Sequence, residues 1–314
     1  MSDPVNSLRI NDFVFARDAY LKGANVTEFL KNSLNMDANN KDIIEYAYDL
    51  QSGSYIDFTK NNLDMVVTYT RELSQYLNSF LEPDDILMDV GCGELTTLSL
   101  IMGHLEVSPK KLLAFDISWS RINVGRDFFK VNVASDVNLI PFVAAMEEIP
   151  LPDKSVDIAF SSHALEPNGH SLKTLVRELF RVTRKKLILF EPHFENNSPE
   201  GKERMERLGY IKDLEGVIVE LGGRVVLCKP LVNIYNPLNP TSVFVVDPPD
   251  YAKSLHNVNN TVDFHFSDPG TNYKLNYISN AFMFSDFSGF CYPVLRSIPI
   301  LKSSSAILAS GMTS

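Results

Sequence analysis

The chain is poor in cysteine, and its three residues, Cys92, Cys228 and Cys291, lie far apart without a C-x-x-C pair. This spacing argues against a disulfide scaffold and against a zinc cluster built from cysteines alone. Scarce, unpaired cysteine is typical of a reducing compartment, so we expect a cytoplasmic protein. The N-terminus lacks an apolar signal core, and no run of about 18 apolar residues occurs. We therefore expect neither secretion nor a membrane-spanning helix.

Basic side chains are in the minority, with 29 Lys and Arg against 39 Asp and Glu, giving a formal net charge of −10. A nucleic acid repels such a surface unless a local basic patch overrides the global field. The densest basic run, residues 181–186, is typical of a helix C-terminus, where the dipole favours cations. The charge balance therefore disfavours a nucleic-acid partner and favours a small-molecule substrate.

From residue 86 onward, short apolar runs alternate with helical stripes. The runs predict strands over residues 86–90, 111–116, 139–144, 156–160, 186–191, 224–228 and 241–246. The stripes predict helices over residues 95–104, 119–131, 171–182 and 199–221, and two stripes earlier in the chain predict helices over residues 41–50 and 62–80. Alternating strands and helices indicate βαβ units and an α/β fold, with a mainly parallel sheet covered by helices on both faces.

One glycine motif follows the first strand of this sheet and opens a helix: Asp89-Val90-Gly91-Cys92-Gly93-Glu94. Two glycines allow a ligand to approach the backbone closely. A dinucleotide fingerprint needs a third glycine, and Thr96 stands at that position. Asp116 ends the second strand, where a carboxylate can accept hydrogen bonds from both ribose hydroxyls. The pattern therefore predicts a ligand with a ribose and without a pyrophosphate, and S-adenosylmethionine fits that description.

The residues Asp89-Val90-Gly91-Cys92-Gly93 and Phe115-Asp116-Ile117-Ser118 resemble the class I S-adenosylmethionine-dependent methyltransferases of methyltransferase type 11. The resemblance covers about residues 60–246. It implies a Rossmann-like sheet of seven strands in the order 3-2-1-4-5-7-6, with the last strand antiparallel. It also implies S-adenosylmethionine as cofactor and S-adenosylhomocysteine as product.

In that family, the stretch beginning at Met146-Glu147 passes the adenine. An Asp often stands two residues before this Glu, and Ala145 replaces it here. The resemblance then implies that the backbone of Ala145 and Met146 holds the adenine, with Glu147 as a candidate to compensate.

Two loops after the fourth and fifth strands carry the candidate catalytic residues. The first begins Ser161-Ser162-His163 and, in this family, faces the methyl group, so Ser161 is expected to bind the cofactor. The second begins Glu191-Pro192-His193. His163 or His193 is expected to act as a general base, unless it is only a loop residue bonded to backbone. Glu191 is expected to cradle a cationic or polyhydroxylated substrate, or to serve as a cap. No i,i+4 pair of ligands supports a metal site.

The N-terminal residues Tyr46, Tyr48, Gln51 and Tyr55 resemble the lid that many small-molecule methyltransferases fold over their cofactor, so we expect Tyr55 at the cofactor. Ordinary helix packing is the alternative. These features divide the chain into a helical lid (residues 1–60), a cofactor-binding domain (61–246) and a C-terminal appendage (247–314).

The C-terminal appendage is rich in Asn, Ser, Pro and aromatic residues. Two stretches, residues 292–295 and 298–301, predict short strands broken by prolines. Together with residues 266–271 they resemble small zinc-ribbon-like methyltransferase activator proteins. The zinc cysteines are missing, with Ser267 where one is expected, so we predict a zinc-free β-rich unit. It would serve stability, homo-oligomerisation or substrate binding.

The sequence thus favours a methyltransferase that acts on oxygen or nitrogen of a small molecule, such as a sugar or a sugar-linked metabolite. Two alternatives stay open. One is an RNA or protein methyltransferase, which the activator-like appendage suggests. The other is a non-catalytic subunit that binds S-adenosylmethionine, which the missing adenine Asp permits.

Overall fold

A computed structural model of the chain describes residues 10–36, 40–134, 137–249 and 264–312. Within these ranges, the central sheet has the order β3-β2-β1-β4-β5-β7-β6. Neighbouring strands are parallel, except that β7 runs antiparallel to both β5 and β6. The expected strand order and direction are confirmed. The strands are β1 (Ile86–Val90), β2 (Lys111–Asp116), β3 (Leu139–Val143), β4 (Val156–Ser162), β5 (Thr183–Pro192), β6 (Arg224–Pro230) and β7 (Thr241–Asp247).

Helices cover both faces of this sheet, and five of those in the described ranges precede its first strand. They are α1 (Ile10–Leu21), α2 (Val26–Leu34), α3 (Lys41–Leu50), α4 (Ser54–Asn61), α5 (Leu63–Asn78), α6 (Thr96–Met102), α7 (Trp119–Asn132), α8 (Leu172–Val182), α9 (Pro199–Leu208) and α10 (Leu214–Glu220). None of these helices is both long and apolar enough to cross a membrane.

The single helix predicted over residues 199–221 is wrong, because two helices occupy this stretch. Gly209 adopts a left-handed conformation with φ +70° and ends α9, as is common for glycine after a helix. Asp213 then starts α10, and its side chain accepts a hydrogen bond from the backbone N–H of Gly216.

The core forms two apolar layers, one on each face of the sheet. All five residues of β1 and all seven of β7 are buried, as expected for strands with helices on both sides. One layer packs the sheet against α8 and α10, and the other packs it against α5, α6 and α7. Burying one Leu, Ile or Phe side chain contributes about 1.5–3 kcal/mol, so these layers dominate the stability of the domain.

The N-terminal helices have a small core of their own, formed by Ala16, Val26, Leu30, Leu34, Ile43 and Ala47. Two carboxylates fasten them to the central domain. Glu94 accepts hydrogen bonds from the backbone N–H groups of Gly53 and Ile56 at 2.9 and 2.8 Å, at the start of α4. Asp49, at the end of α3, accepts from the hydroxyls of Ser118 and Ser120. The helices therefore lie against the carboxyl ends of β1 and β2.

The C-terminal residues form a small antiparallel sheet, which confirms the expected β-rich unit. Its strands are β8 (Asn276–Ser279), β9 (Phe282–Phe284), β10 (Phe290–Leu295), β11 (Ile298–Pro299) and β12 (Ile307–Leu308). Ile300 bridges Val143 in parallel, and the N–H of Leu301 donates to the carbonyl of Val143 at 2.8 Å. The unit therefore covers the free edge of β3.

The position expected for a zinc cysteine, Ser267, is buried, and its hydroxyl donates to the carbonyl of Thr271 at 2.8 Å. Among the residues that the structure describes, no cluster of three or more His, Cys, Asp or Glu side chains is arranged to hold a metal ion.

Candidate functional site

A cavity of about 150 Å³, here called the central cavity, opens at the carboxyl ends of β1, β2 and β4. Ligands of open α/β sheets bind at this edge, where the strand order reverses. β1 and its two neighbours, β2 and β4, form that reversal point here. The walls come from Lys41, Ile44, Tyr48, Tyr55, Asp89, Gly91, Cys92, Gly93, Thr96, Thr97, Phe115, Asp116, Ile117, Arg121, Ala144, Met146, Glu147, Ser162, His163, Ala164, Pro167, Asn168 and Leu175.

The glycine turn forms the floor of the central cavity. Gly91 and Gly93 both have positive φ angles, +67° and +51°, which side chains with a Cβ rarely adopt. A Cβ on Gly91 would lie 2.5 Å from the Cβ of Ala164, so the loop after β4 packs directly on this turn. The two glycines therefore serve both the backbone conformation and the close approach of a second loop.

Asp116 closes the turn at the end of β2. Its Oδ2 accepts a hydrogen bond from the N–H of Gly93 at 3.0 Å, and its Oδ1 accepts from the N–H of Ser118 at 2.9 Å. Each carboxylate oxygen can accept more than one bond, so both keep capacity for a ligand hydroxyl. The carboxylate is thus oriented by backbone groups and presented at the cavity wall.

Asp89 lies deeper in the same cavity and is 4% exposed. Burial, together with the nearby charge of Asp116, raises the pKa of this carboxyl group to about 8. No hydrogen bond to its side chain is formed within the described ranges. A cation brought beside Asp89 would stabilise its ionised form, so this end of the cavity suits a ligand ammonium group.

Most of the predicted cofactor residues meet at this cavity. Nine of them line it, namely Tyr55, Asp89, Gly91, Cys92, Gly93, Asp116, Ile117, Met146 and Glu147. Two do not. Ala145 and Ser161 are 2% and 0% exposed and lie behind the wall, and their neighbours Ala144 and Ser162 line the cavity in their place.

His163 lies at the edge of the central cavity, in the loop after β4, with a left-handed φ of +59°. Its Nδ1 is 2.6 Å from Oε2 of Glu166, and its Nε2 is 3.1 Å from the hydroxyl of Thr241. Burial lowers the pKa of His163, but the hydrogen bond and the charge of Glu166 outweigh this effect and raise it overall. The pair has the geometry of a base oriented by a carboxylate.

Glu191 lies beneath that loop instead of facing the cavity. Its Oε1 accepts from the Ser161 hydroxyl at 2.7 Å and from the N–H groups of Ala164 and Leu165 at 3.0 and 3.1 Å. Its Oε2 accepts from the N–H of Glu166 at 3.2 Å. The side chain is fully buried, and burial raises its pKa to about 7. Glu191 therefore holds the loop that carries His163.

His193, the second predicted base, lies apart from the central cavity. Its Nδ1 is 2.9 Å from the hydroxyl of Ser242, and its backbone N–H donates to the carbonyl of Pro240. Burial lowers the pKa of this imidazole. The structure thus brings His163, but not His193, to the cavity that holds the predicted cofactor residues.

A second cavity of about 470 Å³, the side cavity, adjoins the central one. Its walls include three aromatic rings, from Phe58, Tyr69 and Tyr235, with ring centroids of neighbours 4.6 and 5.9 Å apart. Tyr55, Thr96, Thr97, Ser162 and His163 line both cavities. The side cavity therefore meets the central cavity beside the imidazole.

The N-terminal cluster divides between these spaces. Tyr48 and Tyr55 line the central cavity, and Gln51 lines a third, outer cavity of about 530 Å³. Tyr46 instead donates its hydroxyl to the carbonyl of Phe13 and packs within the N-terminal core. Tyr55 lines all three cavities.

Sequence reasoning missed several lining residues, and Arg121 is the most distinctive of them. It shares the buried stripe of α7 with Gly125 and Phe129, at intervals of four residues. A charged residue in such a stripe is a detectable signal, because arginine is rarely buried without a partner. Thr96 also lines the cavity, at the position where a dinucleotide site would have glycine.

Comparison with known proteins agrees with this geometry. Residues 88–190 match the family model described as a methyltransferase domain. A malonyl-[acyl-carrier protein] O-methyltransferase from Yersinia pestis is 32% identical over 99 residues, which cover 32% of this chain and 33% of the relative. A second protein of that name, from a Marinomonas species, is 28% identical over 144 residues, covering 45% of this chain and 50% of the relative. The chain thus spans a third to a half of the length of these curated relatives.

The fold also has solved counterparts. Magnesium protoporphyrin IX methyltransferase from Synechocystis, crystallised with S-adenosylhomocysteine, superposes with a TM-score of 0.50 at 10% identity, over 66% of this chain and 99% of that one. At this identity, the match shows the shared fold. The family model and the fold together show that this domain is similar to methyltransferases of the class I, S-adenosylmethionine-dependent type.

The central cavity fits the cofactor of that class. Asp116 can accept from a ribose diol, and Asp89 can pair with the methionine ammonium group. The glycine turn lets the nucleoside approach the backbone, while Ile117 and Met146 offer apolar surface for a flat base. These residues would hold S-adenosylmethionine across the ends of β1, β2 and β4.

Proposed function

We propose that this protein transfers a methyl group from S-adenosylmethionine to an oxygen or nitrogen atom of a small molecule bound in the side cavity. The observation that carries this proposal is the position of His163. Its side chain lies on the wall shared by the central cavity and the side cavity, and Glu166 orients its ring. A base at this boundary can contact an acceptor on one side while the cofactor lies on the other.

Positioning and one proton transfer are the tasks of this chain. When bound, the cofactor supplies an electrophilic methyl group on a sulfonium. In the form that acts as a base, the proton of His163 is on Nδ1, and this N–H donates a hydrogen bond to Glu166. Nε2 then accepts the proton of the acceptor, in place of the hydrogen bond that it forms with the Thr241 hydroxyl. The acceptor atom, freed of this proton, would take the methyl group, and the cofactor would leave as the neutral thioether S-adenosylhomocysteine with the electron pair of the C–S bond on sulfur. A base of this kind contributes roughly 10²–10⁴ in rate.

The walls of the side cavity indicate the acceptor. The rings of Phe58, Tyr69 and Tyr235 provide flat apolar faces, and Asn236, Asn239 and Thr241 provide hydrogen-bonding groups. Rings alternating with amides and a hydroxyl suit a small polyhydroxylated acceptor, such as a sugar or a sugar-linked metabolite. The curated relatives, by name, methylate a malonyl group on a carrier protein. A malonyl thioester is therefore the rival acceptor to assay beside the sugars.

The N-terminal helices would act as the lid of this site. Tyr48 of α3 and Tyr55 of α4 line the central cavity, and Glu94 ties the start of α4 to the glycine turn. Covering the cofactor in this way excludes water and strengthens the electrostatic interactions inside the site.

The test combines binding and turnover. Calorimetry with S-adenosylhomocysteine measures cofactor binding, and release of S-adenosylhomocysteine from S-adenosylmethionine in the presence of sugar and malonyl-thioester acceptors measures transfer. We expect His163→Ala to lower turnover about 10²- to 10⁴-fold while the affinity for S-adenosylhomocysteine is kept.

His170→Ala, which removes an exposed histidine before α8, is the matched control and should behave like the wild type. If His163→Ala lost turnover and cofactor affinity to the same extent, His163 would have a structural role and would not be the base. Binding without transfer to any small acceptor would instead support a non-catalytic subunit, or a macromolecular target.

A further inference from the structure

Arg121 is held in the wall of the central cavity by two tyrosines of the N-terminal helices. The guanidinium carbon lies 4.5 Å from the ring centroid of Tyr48 and 4.2 Å from that of Tyr55. Its Nε donates to the carbonyl of Tyr48 at 3.0 Å. The residue is only 3% exposed, so the guanidinium is fixed in position and sheltered from water.

One nitrogen of this guanidinium has no acceptor in the part of the chain that the structure describes. Nη2 is buried and has no hydrogen-bond partner among the residues that the structure describes. Nη1 lies beside the glycine turn, 3.6 Å from where a Cβ on Gly93 would stand. A buried N–H group without an acceptor costs free energy, and the surrounding residues are walls of the central cavity. This arrangement is what a site needs when the ligand supplies the acceptor.

The neighbouring side chains indicate which part of the ligand would accept the hydrogen bond from Arg121. The N–H of Gly93 donates to Asp116, which therefore stands across the same turn from Arg121, and the negative charge of Asp116 favours the guanidinium. The carboxylate only accepts hydrogen bonds, and the guanidinium only donates them. A ribose diol has both hydroxyl hydrogens and oxygen lone pairs, so it can satisfy the two side chains together.

We propose that Arg121 is a second ribose-binding residue, donating from Nη2 to a hydroxyl oxygen of the nucleoside while Asp116 accepts from the diol. This inference rests on the proposed function, because it takes S-adenosylmethionine as the occupant of the central cavity. The contact would also link ribose binding to the positions of Tyr48 and Tyr55, which pack on the guanidinium. The same guanidinium that contacts the sugar holds the two lid tyrosines beside it.

The experiment measures binding of three ligands to four proteins by calorimetry. The ligands are S-adenosylhomocysteine, 5′-methylthioadenosine, which keeps the ribose but lacks the amino acid, and the 2′,3′-dideoxy form of methylthioadenosine. The proteins are the wild type, Arg121→Met, Arg121→Lys and Arg126→Met. Arg126, on the same helix, donates to the carbonyl of Arg296 outside the central cavity and is the matched control.

We expect Arg121→Met to weaken S-adenosylhomocysteine and methylthioadenosine equally, by about tenfold, as for one hydrogen bond from a charged donor. The dideoxy ligand should bind Arg121→Met and the wild type within about twofold of each other, because the contacted hydroxyls are gone. Arg126→Met should match the wild type throughout. If Arg121→Met fails to fold, Arg121→Lys keeps the cation, and its loss should likewise appear only with ligands that carry the diol.

Each of four results would overturn the inference. A loss of affinity seen only with S-adenosylhomocysteine would mean that Arg121 contacts the amino-acid carboxylate and not the ribose. A penalty that persists with the dideoxy ligand, or no penalty at all, would leave Arg121 as a support for the tyrosines only. Failure of the wild type to bind S-adenosylhomocysteine would remove the proposed function itself, and it is distinguishable because it appears before any variant is made.

Discussion

Removing Glu191 tests whether this buried acid works on the substrate or on the loop above it. Four donors converge on its carboxylate, one hydroxyl from Ser161 and three backbone N–H groups from residues 164–166. Glu191→Ala deletes every acceptor and leaves these donors, which are buried or half-buried, without a partner. Glu191→Gln keeps the shape and one acceptor oxygen, but turns the other oxygen into a donor.

The expected loss follows from the number of donors left unpaired. A buried polar group without a partner costs about 1–3 kcal/mol, but the four here share one loop, and their costs do not add fully because that loop can relax. We expect Glu191→Ala to lower the free energy of unfolding by about 3–5 kcal/mol, and Glu191→Gln to lower it by about 1–2 kcal/mol. For a domain of this size, the alanine variant should melt roughly 10 °C below the wild type.

Thermal melting and urea unfolding measure this loss, and turnover measures the consequence for His163, which the loop carries. Glu220→Gln is the control, because Glu220 pairs with Lys173 at the surface, where ion pairs contribute little. Both Glu191 variants should lose turnover and stability together. A variant that keeps its melting temperature but loses turnover would show that Glu191 contacts the substrate. The proposal that Glu191 holds the loop carrying His163 would then be wrong.

Two further perturbations address the cofactor and the base. Asp116→Ala should weaken S-adenosylhomocysteine by about 1.5–3 kcal/mol, measured by calorimetry, because it removes a charged acceptor from the ribose; unchanged affinity would mean that the ribose lies elsewhere. Glu166→Gln should lower the pKa of His163, because burial already lowers that pKa and the charge of Glu166 is what raises it overall. Since the neutral imidazole is the base, activity rises as pH passes upward through this pKa, so the acidic limb of kcat/KM against pH should move to lower pH in the variant. An unmoved limb would exclude His163 as the titrating base.

The parts of the site predicted from sequence are those whose signal is local. Asp89 lies next to the last residue of a buried strand, Gly91 and Gly93 follow that strand, and Asp116 ends the next one. Strand periodicity alone therefore brings them to one edge of the sheet. The strand order needed more than periodicity. It came from the resemblance to a family, because short apolar runs do not encode which strands become neighbours.

The parts that sequence could not supply depend on partners distant in the chain. In the sequence, Glu191 has the position of a catalytic acid after a strand. Only the structure shows that the loop of residues 164–166 donates to its carboxylate. Helix α4 is short, and its first N–H groups are satisfied by Glu94, 38 to 41 residues away, so no local cap marks its start. Helix α1 buries only Ala16 and shows no apolar stripe. The break at Gly209 was visible as a glycine, but a glycine inside a helical pattern is also tolerated.

The C-terminal unit contributes to the same site, although none of its residues between 264 and 312 lines any of the three cavities. Its backbone extends the central sheet beyond β3, whose unpaired edge would otherwise expose hydrogen-bonding groups to other chains.

Ser303 donates to Glu148 from both its N–H and its hydroxyl, one residue after the cavity wall at Glu147. Lys302, nearly buried, pairs with Glu45 of α3 at 2.5 Å. One short segment thus joins the sheet edge, the loop expected at the adenine and the helix that carries Tyr48. Because the buried ammonium group of Lys302 is costly without its anion, the pair with Glu45 keeps α3 and the C-terminal unit in position together. The wall of the central cavity formed by Tyr48 of α3 therefore depends on the C-terminal unit as well.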